Sequence, residues 1–478
     1  MNIPFPRGFR IALDPTTRQL DRRTVRGGSP ARIVRFSVAG QAAWNELRSG
    51  PVVSTAGAIL ARHLTDRGLA HPRPPTSDTP LSVTIIIPVR DRLPQVARCL
   101  AALDRAYPIV VVDDGSQDAD GVARLAEMYS ATLVRRSCCG GPAAARNSGL
   151  IFADTDLIAF LDSDCVAEPG WIQRLADHLA DPLVAAVAPR ILALPSITTA
   201  GRYAAAAGSL DMGPRESRVA PGTRVSYVPT AALLVRREAL QRIGAFDEQL
   251  RYGEDVDLVW RLHDAGLRIR YEPAVCLRHE EPQTWWALLS RRFHYGTSAA
   301  PLALRHPTAI TPLVVATWPT ATSVAALAGR PVAAVVGLIG TFLTTKSTLR
   351  QAQLPTDEGP TIVAEACWRT LVGIARYTNQ FAAPLLLIAL VRPPGATTAR
   401  RRRNTARAVA LILVAPMTAF VRDRPQLDII RFTAARLADD IAYGMGVWAG
   451  SLRHRTVIPL RPTLIRPSGR PRGTDATH

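Results

Sequence analysis

The sequence predicts an α/β protein built on a doubly wound sheet, with a small winged-helix-like module before it and a helical, membrane-associated region after it. Three observations predict this. Short, β-branched apolar runs alternate with helix-length segments from residue 82 onward. A proline-rich stretch sets these runs apart from a basic amino-terminal block. Past residue 300, long uncharged runs alternate with clustered arginines. The expected divisions are residues 1–76, 77–300 and 301–478.

The amino-terminal block reads as strands at Phe9–Leu13 and Ala31–Ser37 and helices at Ala39–Leu47 and Ser54–Gly68. Ser54 suits a helix N-cap and Gly68 a helix end. His71–Pro80, rich in proline and polar residues, reads as a linker. Ser82–Val89, Pro108–Asp114 and Leu157–Asp164 then have the nearly continuous apolar character of parallel strands covered on both faces.

Further on, Ala309–Gly329 is uncharged, and so are Pro331–Thr345, Tyr377–Val391 and Ala408–Val421. Only the first reaches the ~20 residues of a spanning helix, and it contains Pro312 and Pro319. The shorter runs suit interfacial or core helices.

The formal charge of +19 is unevenly spread. Residues 1–76 hold 12 basic and 4 acidic side chains, residues 77–300 hold 24 and 27, and residues 301–478 hold 22 and 8. The basic carboxy-terminal region, with Arg400–Arg403 and Arg407 beside an apolar run, points to an anionic membrane face. Neither zinc-finger spacing nor an aromatic-basic RNA motif accompanies the charge, so no nucleic-acid partner is expected. The six cysteines form no CxxC pair, and the first 30 residues lack the apolar core of a signal peptide. The expected location is the cell membrane, with the domain of residues 77–300 on the cytoplasmic side.

The acidic motifs fall where parallel strands end, which is where such sheets bind ligands. Asp113-Asp114-Gly115-Ser116 can accept hydrogen bonds from a nucleobase imide and ribose hydroxyls, although the same residues serve as an N-cap and turn. Asp162-Ser163-Asp164 can hold a hard divalent cation whose shell phosphate oxygens complete. Arg146, between them, offers a planar guanidinium to a diphosphate, or lies in solvent. Glu254, Asp255 and Asp257 on one helical turn supply a carboxylate for an acceptor hydroxyl, or form a solvated face. His279 is a further metal-ligand candidate, or a structural histidine.

The order IIIPVRDR, VVVDDGSQD, AARNSGL, FLDSDC and GEDVDLVWRL resembles the family-two glycosyltransferases of GT-A fold, over residues 82 to about 280. The resemblance implies that Asp113 and Asp114 hold a uridine, that Asp164 contacts the metal with Asp162 in support, and that Asp255 is the general base. The expected site is then Asp255 for catalysis and Pro88, Asp113, Asp114, Arg146, Asp162, Glu254 and Arg261 for the nucleotide sugar. Asp164 and His279 are expected to hold a divalent metal, Mn2+ or Mg2+. Such enzymes invert at the anomeric carbon. Where processive relatives carry QxxRW, this chain reads TWWALLSRRF, Thr284–Phe293, which puts processive translocation in doubt.

The three-part layout resembles the mycofactocin-system glycosyltransferases, and residues 1–76 are similar to PqqD-like peptide-recognition modules. This implies β-linked transfer of glucose from a UDP-sugar donor, UDP-glucose, to a peptide-derived acceptor, the mycofactocin precursor. A membrane enzyme acting on a lipid or cell-wall polysaccharide is the alternative, and a catalytically dead scaffold is a third reading. The intact Asp114, Asp164 and Asp255 argue against the scaffold.

Overall fold

The computed structural model describes residues 3–77, 79–351, 356–357, 359–382 and 398–465. The chain forms two compact units, Met1–Gln283 and Thr284–His478.

In the first unit, β1 (Arg10–Leu13), β2 (Arg18–Asp21), β3 (Thr24–Gly27) and β4 (Arg32–Arg35) precede α1 (Val38–Ser49), α2 (Thr55–Asp66) and β5 (Ala70–Arg73). Strands β2, β3 and β4 make an antiparallel sheet, and β1 pairs with β5. Both helices start at a serine: Ser37 Oγ accepts from the Gly40 N–H and Ser54 Oγ from the Gly57 N–H, each satisfying an orphan amide of the first turn. Phe5, Phe9, Val25, Trp44, Leu47, Leu64 and Leu69 close a core of their own.

The stretch expected as a linker begins inside β5. His71 is buried, and its Nε2 lies 2.9 Å from Asp14 Oδ2. Further ion pairs fasten the module to the rest of its unit. The Arg62 guanidinium donates to both oxygens of Asp181, at 2.7 and 2.8 Å, and Arg268 donates to Asp66 at 2.7 and 3.1 Å. Arg62 and Asp181 are both buried, and a pair so desolvated holds only while both partners are present.

The nine-stranded sheet comprises β6 (Val83–Val89), β7 (Ile109–Asp113), β8 (Thr132–Arg135), β9 (Leu157–Leu161), β10 (Cys165–Ala167), β11 (Val184–Ala193), β12 (Ser217–Val219), β13 (Ala232–Arg236) and β14 (Arg268–His279). Its order is β10-β14-β11-β13-β9-β6-β7-β8, with β12 also on β14. Strands β9, β6, β7 and β8 are parallel, as their continuous apolar runs require. The other half departs from a uniformly parallel sheet: β13 runs antiparallel to β9 and β11, and β10 and β12 run antiparallel to β14. The fold is thus a GT-A-like α/β fold with a mixed sheet.

Crossover helices α3 (Leu93–Ala101), α4 (Ala119–Met128) and α5 (Pro142–Leu150) link the parallel strands. Gly149 lets α5 approach β6, since a Cβ there would come within 2.5 Å of the Ile86 side chain. Helices α6 (Trp171–Ala176), α7 (Thr199–Ala207), α8 (Arg237–Ile243) and α9 (Glu254–Asp264) complete the unit.

The second unit is helical: α10 (Trp285–Thr297), α11 (Ala299–Arg305), α12 (Thr317–Leu327), α13 (Pro331–Gln351), α14 (Gly359–Phe381), and then Thr398–Asp423 and Ile429–Arg453. The longest uncharged run, Ala309–Gly329, is not one spanning helix. It divides into β15 (Val314–Ala316) and α12, with Pro319 in the first turn, where its missing N–H breaks no helical bond. The helices long and apolar enough to cross a membrane are Pro331–Gln351 and Arg402–Asp423, among the described residues. Both leave most of their surface outside the core. Of the expected run Tyr377–Val391, residues 383–391 lie outside the described residues.

Candidate active site

The acidic motifs gather at the carboxyl ends of β6, β7 and β9. Asp113 closes β7 and pairs across the sheet with Val89, and Pro88 on β6 pairs with Val112. Since β6 lies between β7 and β9, Asp113 and Asp162 are separated by two strand spacings, about 10 Å.

Asp113 is buried. Its Oδ1 accepts from the Ser116 N–H at 2.9 Å, while Oδ2 accepts no hydrogen bond among the described residues and lies 3.5 Å from Arg135 Nε. A buried acceptor lacking a donor suits the imide of a nucleobase. Asp114 is occupied differently. It accepts from Arg136 Nε at 2.8 Å and from the backbone N–H groups of Gly140 and Gly141 at 2.9 and 2.8 Å. Its carboxylate therefore shapes the loop that leads into α5. Gly115, at φ +79°, makes the turn that this geometry needs.

Arg146, expected to face a diphosphate, is buried on α5 with 3 % of its surface exposed. It donates to Asp162 Oδ1 at 2.7 Å and to Glu254 Oε1 at 3.0 Å, and it lies 5.4 Å from the centre of the Phe246 ring. One guanidinium thus bridges the end of β9 to the start of α9. Two carboxylates in contact with it hold it charged against the cost of its burial.

Helix α9 starts at Gly253, whose φ of +80° turns the chain into the helix, and Glu254 and Asp255 fill its first turn. Burial, more than any other influence, raises both carboxyl groups. Asp255, half-buried beside Glu254, is pushed up to about 7, with the Glu254 charge adding to the desolvation. A carboxylate poised there is suited to general-base work near neutral pH. Arg261 has a different occupation from the one expected: it pairs with Asp257 at 2.7 Å and donates to the carbonyls of Ile243 and Ala245. That ties α9 to the turn after α8.

Asp164 and His279 come together, because β10 pairs with β14 so that Cys165 faces His279. His279 Nε2 lies 3.2 Å from Asp164 Oδ1 and Nδ1 lies 3.3 Å from Glu281 Oε1. Burial lowers the imidazole, but the two carboxylates outweigh it and raise it to about 10. No cluster of three or more potential metal ligands exists among the described residues. A carboxylate oxygen and an imidazole nitrogen are a suitable donor pair for an Mn2+-type ion. The ion would displace the histidine proton and take its remaining ligands from the donor phosphates and water.

Arg136, Phe246 and Glu281 complete the site. Glu281 lies two residues beyond His279 and was open to reading from the sequence. Arg136 and Phe246 become neighbours of the site only through the tertiary fold.

The family model described as Glycosyl transferase family 2 matches residues 84–244. The pre-mycofactocin glycosyltransferase of Mycobacterium tuberculosis is 35 % identical over 475 residues, covering 96 % of this chain and 98 % of that protein. Glycosyltransferase AglE of Haloferax volcanii is 28 % identical over 233 residues, 46 % of this chain and 73 % of that protein. The succinoglycan biosynthesis protein ExoU of Rhizobium meliloti is 33 % identical over 207 residues, 41 % and 60 % of the two chains. With a likeness that runs through almost the whole of both chains in the first case, this protein is a glycosyltransferase of family two and belongs to the mycofactocin-system glycosyltransferase family.

Proposed function

We propose that the protein transfers glucose from UDP-glucose, with inversion, onto a ribosomally derived redox peptide, the mycofactocin precursor, and onto its growing glycan. One observation carries the chemistry: Arg146 links the metal-side carboxylate Asp162 to Glu254, next to the raised carboxyl of Asp255. The likeness to a pre-mycofactocin glycosyltransferase supports the acceptor.

In this reading Asp113 Oδ2 accepts from the uracil imide, and Asp114 keeps the 138–141 loop in place around the base. Asp255 takes the proton of the acceptor hydroxyl as its oxygen attacks the anomeric carbon from the side opposite the nucleotide, so an α-linked donor yields a β-linked product. Asp164 and His279 would hold a divalent ion, Mn2+ or Mg2+, which when bound offsets the charge growing on the leaving diphosphate. Glu254, fixed by Arg146, keeps the first turn of α9 aligned. Residues 1–76 present the acceptor peptide. The apolar helices and arginines of the second unit hold the protein on the cytoplasmic face of the membrane, where the donor is made.

The deciding experiment incubates purified protein with UDP-glucose, Mn2+ and the acceptor peptide. Mass gains in whole hexose units, with β linkages by NMR, are expected. UDP-glucose turnover onto extracted lipid but not onto the peptide would favour the second reading, a lipid or polysaccharide acceptor. The exposed apolar surfaces of Pro331–Gln351 and Arg402–Asp423 favour that alternative.

A further inference from the structure

A cavity of about 220 Å3 lies at the seam between the amino-terminal module and the sheet, away from the transfer site. Its walls include Arg62 of α2, Arg218 of β12, Arg268 and Arg270 of β14, and two histidines, His178 and His263. Strand β14 starts at this cavity and ends at His279, and the nine steps from Arg270 to His279, at ~3.3 Å each, put the two sites roughly 30 Å apart.

The charges around the cavity do not balance. Arg62 is matched by Asp181 and Arg268 by Asp66, each pair at 2.7 Å. Glu216 is shared by two guanidinium groups, Arg73 at 2.6 Å and Arg270 at 3.5 Å, and by the His71 ring at 3.4 Å, while Glu272 faces the His178 ring at 3.1 Å. The Arg218 guanidinium makes no hydrogen bond among the described residues, and the Asp66 charge beside it is already taken by Arg268. Among the described residues, two buried nitrogens on the cavity wall have no hydrogen-bond partner: Nε of Arg270, a residue 4 % exposed, and Nδ1 of His178, a residue 5 % exposed. A buried guanidinium N–H without an acceptor is costly, so this wall is built for an acceptor the described residues do not supply.

We infer that the cavity binds a small oxyanion, a phosphate or carboxylate group, held by Arg218 and Arg270. The planar guanidinium groups suit either anion through paired hydrogen bonds. The volume far exceeds the ~10–15 Å3 that one water needs. The electrostatics agree: burial lowers Arg270 to about 10, and burial and the arginines around it also lower Arg218. Arg62 of the module lines the same cavity, so an anion bound by Arg218 and Arg270 sits in the seam where the module docks.

The test uses the full chain, titrated with sodium phosphate or with glutarate against chloride at equal ionic strength. Near ten times the dissociation constant, the effective anion should raise the melting temperature by about 2–4 °C, saturably, with one site per chain by calorimetry. Arg218→Met, which removes the charge and keeps an apolar stem, should abolish the shift. A response to phosphate alone identifies a phosphoryl ligand, and one to glutarate alone a carboxylate. Hydrogen exchange on the unmodified chain keeps the test decisive if that variant fails to fold. Anion-dependent protection is expected in residues 62–72, 217–219 and 266–270. The inference is overturned if neither anion gives a saturable shift, if Arg218→Met responds as the wild type does, or if protection appears only around Asp162–Asp164 and Glu254.

Discussion

Replacing Asp255 by Asn keeps the shape of the side chain and removes its capacity to take a proton. A positioned base is typically worth about two to four decades in rate, so transfer should fall at least about a hundredfold while UDP-glucose binding stays near normal. The structure adds a pH signature. With its carboxyl raised to about 7 by burial and by Glu254, Asp255 is about one-tenth ionised at pH 6 and about nine-tenths at pH 8. Wild-type kcat/KM should therefore rise roughly tenfold over that interval, and the residual rate of Asp255→Asn should lack this limb. Stability moves the other way. An acid whose pKa is higher folded than unfolded binds its proton more tightly in the native state, so the wild type loses stability as pH rises from about 4 through 7. Asp255→Asn escapes that loss and should melt higher than the wild type at pH 8, with no such advantage below pH 4. Initial rates of hexose transfer across pH 5.5–8.5, with thermal melts on the same samples, provide the measurements. A variant that transfers at near the wild-type rate, or keeps the tenfold limb, would show that Asp255 is not the base.

Arg146→Met leaves Asp162 and Glu254 without their shared cation and should destabilise the first unit by about 3–5 kcal/mol in urea unfolding; a loss under about 1 kcal/mol would contradict a buried bridge. Arg62→Met strands Asp181 in the same way, and limited proteolysis should then cut between residues 74 and 82 much faster than in the wild type. Chelation should stop transfer, with recovery on Mn2+ addition, and Asp164→Ala should not recover at the same Mn2+ concentration; full activity in excess chelator would remove the metal from the mechanism. Washing membranes with high salt should leave the protein bound if the apolar helices enter the bilayer, whereas complete release would reduce the attachment to its arginines.

Local chemistry decided much of this protein. The runs at 83–89, 109–113 and 157–161 could only be buried strands, and Ser54 marked the start of α2 because its hydroxyl satisfies an amide left over by the helix itself. Asp113 and the Asp162–Asp164 triplet were legible for the same reason, since strand ends in such sheets face ligands. Length was less reliable. The uncharged run Ala309–Gly329 broke into a strand and a short helix, while α13 continued past its first charge at Lys346 to reach 21 residues.

What the tertiary structure decided is which charges meet. Arg146 and Glu254 are 108 residues apart in sequence, Arg62 and Asp181 are 119 apart, and nothing in their neighbours along the chain indicates that these side chains are partners. The same holds for Arg261, whose guanidinium the fold commits to the turn after α8. The antiparallel placement of β13 lay equally beyond reach, because a fully buried strand has the same apolar pattern in either direction. Periodicity and capping act over a few residues and leave a mark in the sequence, whereas the pairing of buried charges depends on distances that exist only once the chain has folded.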